Sequence, residues 1–136
     1  MLEIADSARI TAGVVLLTVV GIEYGGWFLL KVVTGKAPAT DFQKSFFRAG
    51  HAHGGVLVIL GLVCVLLAQA THLTGFWHWL AATGVLWGAV LLPGAFFLSA
   101  TGRGRTEPNR WRALFPVGAV AIGAGVVTLA VGLLRG

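Results

Sequence analysis

Four long apolar stretches dominate this chain and limit what it can fold into. They cover residues 10–33, 46–70, 76–100 and 113–134. A helix needs about 20 apolar residues to cross the hydrocarbon of a bilayer, and each stretch meets that length. None shows the every-second-residue alternation of a barrel strand. Hydrocarbon supplies no hydrogen bonds, so a spanning segment must satisfy its own backbone, as a helix does. The sequence therefore predicts an all-α, integral membrane four-helix bundle forming a single domain over residues 1–136. Composition agrees: 11% of residues are charged, about half the usual share of a soluble domain. A single cysteine, Cys64, excludes an intrachain disulfide scaffold and reads as a small core residue.

The first stretch reads as a retained helix rather than a cleaved leader. Glu3 and Asp6 precede it with only Arg9 for balance, and no small-x-small cleavage site follows a short apolar core. Orientation follows from the basic residues. Lys31, Lys36, Lys44 and Arg48 surround the first connection, and Arg103, Arg105, Arg110 and Arg112 the third, so eight of the ten Lys and Arg lie on one side. Only Arg9 and Arg135 lie on the other. The positive-inside rule then predicts cytoplasmic basic loops, both termini outside, and a multi-pass protein of the plasma membrane. The net charge of +5 is thus a topology signal. The aromatic and motif support that nucleic-acid binding requires is absent. The basic loops suit anionic lipid head groups.

Trp77, Trp79 and Trp111 fall near span ends, as interfacial anchors do, while Trp87 is deeper and reads as packing. Thr40 or Asp41 is placed to cap a second helix that starts near Asp41, ahead of its apolar run. Pro93 interrupts the third span, where a kink is expected. Twenty glycines, about twice the average share, include the small-xxx-small pairs Gly50/Gly54 and Gly84/Gly88. Such pairs let membrane helices approach closely, in a compact bundle or a homodimer.

Ionisable groups within a span are costly and usually face a cavity or the bundle interior. Glu23 is the clearest case, about ten residues, or roughly 15 Å, from the basic end of the first span. His51 and His53 lie roughly 8 to 11 Å inside the second span from the same end. Tyr24, Arg48 and Ser99 reach a similar depth, so these side chains are expected in one half of the membrane. His72 and His78 fall near the opposite interface, where they meet water. Two residues along a helix is roughly 200° of rotation, so His51 and His53 point to opposite faces. One regular helix cannot bring both to one ion. His51 shares its face with Arg48 and Gly55, and His53 with Leu57 and Leu60.

The stretch His51–Ala52–His53–Gly54–Gly55 resembles the His-x-His helices of the large subunits of haem–copper oxidases and nitric oxide reductases. In that family such a pair serves two redox centres on opposite faces of one helix. The resemblance covers about ten residues. It implies a bound metal ion or haem, with His51 and His53 as imidazole ligands and a homodimer able to supply either one twice.

Three functions follow as expectations. The first is a metal- or haem-binding membrane protein with a redox role. There Glu23, His51 and His53 are metal ligands, and Tyr24 and Arg48 belong to the cofactor site. The second is a proton-coupled transporter, because four short helices with a Glu in the first are similar to the small multidrug resistance transporters, which work as dimers. The third is an accessory subunit of a larger membrane complex, its polar residues making interhelical hydrogen bonds. No phosphate-binding loop, Ser/His/Asp set or Cys-x-x-Cys motif points to a soluble-type enzyme.

Overall fold

The computed structural model describes residues 4–135, so Glu3 of the leader lies outside the described residues. The chain is all-helical, with α1 at Asp6–Val33, α2 at Asp41–Ala68, α3 at Gly75–Ser99 and α4 at Leu114–Leu134. A short 3-10 turn, Arg110–Ala113, leads into α4. All four helices are long and apolar enough to cross a membrane, which makes this a multi-pass membrane protein built as a four-helix bundle. α1 and α2 begin four and five residues before their apolar stretches, while α3 and α4 match theirs to within a residue at each end. Hydropathy reports the lipid-facing length, whereas backbone hydrogen bonding continues into the interface.

The start of α2 is fixed by a capping box. The Thr40 hydroxyl accepts from the Gln43 backbone N–H at 3.1 Å, and the Gln43 side-chain oxygen accepts from the Thr40 N–H at 3.1 Å. This reciprocal pair satisfies two donors that a helix start leaves free. Gln43 is itself buried, and its amide nitrogen donates to the carbonyls of Ala100 and Gly102 at 2.9 and 2.7 Å. The Thr40 hydroxyl donates to the Arg105 carbonyl. The two basic loops are thereby tied into one surface. Replacing Gln43 with Leu leaves two carbonyls and a cap N–H without partners. We expect a loss of about 2 kcal/mol, read as a lower thermal midpoint in detergent micelles.

α3 is the hub, packing along both α2 and α4, while the α1 backbone comes close only to α2. The core cluster lies between α2, α3 and α4, with Leu57, Cys64, Ala68, Ala81, Ala82, Val85 and Leu129 at its centre. These residues are mostly small because glycine seams hold the backbones close together. A Cβ on Gly50 would lie 2.9 Å from Phe96 Cβ, and one on Gly84 would lie 2.7 Å from the Gly125 Cα. Both expected small-residue pairs are therefore contact surfaces. Pro93 sits inside α3 with its ring directed at Gly54, where a Cβ would lie 3.6 Å from Pro93 Cγ. Trp87 departs from the sequence expectation: it is exposed on the outer face of α3. In lipid an apolar ring gains nothing by turning inward, so depth alone does not predict burial.

Candidate functional site

The helical stretch Gly50–Gly54 distributes its side chains around α2. Gly50 seats α3, against Phe96 and Phe97. One residue further on, His51 turns toward α1. A Cβ on Gly25 would lie 3.4 Å from His51 Nδ1, and one on Gly26 would lie 3.5 Å from Nε2. The imidazole therefore lies against a part of α1 that has no side chains, where an added Cβ would make ordinary van der Waals contact with the ring.

Because α1 follows α2 and not α3, a groove opens between α1 and α3 with α2 as its floor. It has a volume of about 330 Å³ and is walled by Val15, Ile22, Leu86, Ala89, Val90 and Pro93. Ligand pockets begin at about this size. Near its basic end the groove is bounded by Phe97, which stacks on Phe47, and Phe47 in turn packs edge-on against Phe28 of α1. Only two side chains in the lining carry polar groups, Thr18 and His51. The Thr18 hydroxyl is spent on the Val15 carbonyl at 2.6 Å. His51 makes no hydrogen bond among the described residues, so its ring nitrogens are the uncommitted polar atoms of the groove. Pro93 adds one more polar feature, since it has no N–H to give the Ala89 carbonyl one turn earlier.

His53 faces the other way, as 200° of rotation requires. It is exposed, and its Nδ1–H donates to the Ala49 carbonyl at 2.8 Å, because a carbonyl can only accept. Its ring lies 5.0 Å from that of Phe96. Glu23 is exposed on α1 and makes no hydrogen bond or ion pair among the described residues. Tyr24 is also exposed, its ring 5.7 Å from Trp27, and Lys31 lies 3.3 Å over the Trp27 ring. Arg48 is exposed and unpaired among the described residues, one turn before His51 on α2. Ser99 is buried and donates to the Ala95 carbonyl of its own helix.

Of the residues expected to converge, then, His51 lines the groove with Arg48 one turn away, while Glu23, Tyr24 and His53 point elsewhere. No group of three or more His, Cys, Asp or Glu side chains able to hold a metal ion occurs among the described residues. The groove itself was not expected. Its signal in the sequence is Gly25–Gly26 on one helix and a histidine at matching depth on the next. No protein family, curated protein or solved structure matches the chain.

Proposed function

We propose that this is a haem-binding membrane protein with a redox role, in which His51 would hold the iron and the α1–α3 groove would take the ring. The observation that carries this reading is an uncommitted imidazole in an otherwise apolar groove at membrane depth. The donor set discriminates between a bare ion and a haem. A bare ion is normally held by three or more protein ligands, whereas a haem brings four equatorial nitrogens and needs one or two axial ones. A lone His51 suits the second case. The aliphatic walls suit an apolar ring, and the free Arg48 guanidinium, one turn nearer the basic end, suits the propionates. When bound, a haem supplies one-electron transfer, and the apolar groove around it favours the less charged oxidation state. The charge bias supports an orientation with both termini outside, in the plasma membrane on this reading.

The test is an optical titration of haem into detergent-purified, untagged protein, with a bound-haem assay. A Soret band that saturates near stoichiometry, with a ligand-field pattern of histidine coordination, is the expected result. A protein that stays colourless throughout, in detergent and in lipid, overturns the proposal.

A further inference from the structure

The outward face of α1 carries a seam that none of the described residues covers. Leu16, Val20, Glu23, Trp27 and Leu30 follow one another at intervals of four, three, four and three residues. That spacing puts all five within about 80° of one another around the helix, and it is the spacing that packs one helix along another in a left-handed pair. Every member is exposed: Leu16 57%, Val20 66%, Trp27 52% and Leu30 59%, with Glu23 between them. Gly13 extends the seam by one step, and a Cβ there would meet nothing within 4 Å, so another backbone can approach. None of the apolar middle of α1 is fully buried, against 39% of the matching part of α2.

The carboxyl at the centre of this seam says what covers it. A carboxyl facing hydrocarbon must be neutralised by a proton or given a partner. We propose that the partner is a second copy of this chain, packed in parallel along the same seam of α1, with the Glu23 carboxyls of the two copies meeting across the seam in a hydrogen bond. Two features select a second copy over an unrelated helix. The same bias of basic residues orients every copy alike, so Glu23 meets Glu23 at equal depth. A protonated carboxyl is also both donor and acceptor, so the pair is self-complementary about a two-fold axis. Side-chain hydrogen bonds of this kind drive helix association in membranes, where the apolar seam residues alone gain little over lipid. This pairing does not rest on the haem reading, since the seam lies on the face of α1 away from the groove.

The test uses the full chain in lipid vesicles. In a Cys64→Ala background, single cysteines at Leu16 and Val20 should cross-link two copies on mild oxidation. Cysteines at Val56 and Val120, equally exposed on α2 and α4, should not. With donor- and acceptor-labelled chains, Glu23→Leu should raise the dimer dissociation constant about tenfold. Glu23→Gln, which keeps a donor and an acceptor, should stay close to the unsubstituted chain. Glu23 is exposed, so neither change disturbs the fold, and circular dichroism checks this. A monomer in lipid, cross-linking at Val56 or Val120 in place of the seam, or a Glu23→Leu dimer of undiminished strength each overturns the proposal.

Discussion

Replacing His51 with alanine should abolish the Soret band at haem concentrations that saturate the unsubstituted protein. Loss of a residue that merely supports a metal ligand costs about 10- to 100-fold in affinity, and His51 is proposed as the ligand itself. A fall of at least about 100-fold is therefore expected. His53→Ala is the matched control. It removes an imidazole two residues away on the same helix, but one that is exposed and already donates to Ala49. Haem affinity should stay within about twofold, and stability within about 0.5 kcal/mol, as for other exposed substitutions. His51→Gly gives a stricter version. Free imidazole should then restore the Soret band, because the groove walls and Arg48 remain while the ligand returns from solution. Equal losses at His51 and His53, or no rescue, would point away from axial ligation and toward general damage.

That contrast shows what the sequence reveals and what it hides. The opposition of His51 and His53 is fixed by helix geometry alone, and the structure repeats it: one ring lies against α1, the other beside Phe96. The Thr40 cap is equally local. The azimuth of Glu23 is of another kind. In a soluble helix the polar side announces itself, but along α1 the groove-lining Val15 and Ile22 are no more apolar than the outward Leu16 and Leu17. With lipid on one side and protein on the other, hydrophobic period no longer distinguishes them. The depth of Glu23 could therefore be read and its direction could not. The bond from Gln43 to Ala100 and Gly102 was hidden for a different reason, since it joins the first turn of α2 to a loop 57 and 59 residues away. The glycine pairs fall between these cases. Their role as close contacts was legible, but not which helix each one meets.

The second large effect is expected at Gly84. A Cβ added there would lie 2.7 Å from the Gly125 Cα and 2.9 Å from the Ala121 carbonyl oxygen. Both are backbone atoms of α4, so no rotamer change can relieve the contact and the two helices must move apart. The reverse view agrees, because a Cβ on Gly125 would lie 2.9 Å from the Gly84 Cα. Gly84→Ala should cost about 3 kcal/mol, the upper part of the range for overpacking, despite the gain in helix propensity. Gly88→Ala should cost a similar amount. Its added carbon would lie 2.1 Å from Ile122 Cγ1, next to the branch point of a side chain that is stiff at χ1 in a helix. Gly123→Ala should be neutral or stabilising by up to about 1 kcal/mol, since nothing lies within 4 Å of the new carbon. Reversible unfolding in mixed micelles with increasing denaturing detergent measures all three. A cost at Gly84 and Gly88 with none at Gly123 is the signature of close contact between α3 and α4. Equal costs at Gly84 and Gly123 would instead mean that the helices stand further apart. The effect is large because α3 and α4 cohere through close packing, and lipid tails offer their apolar side chains an equally good solvent once that packing is lost.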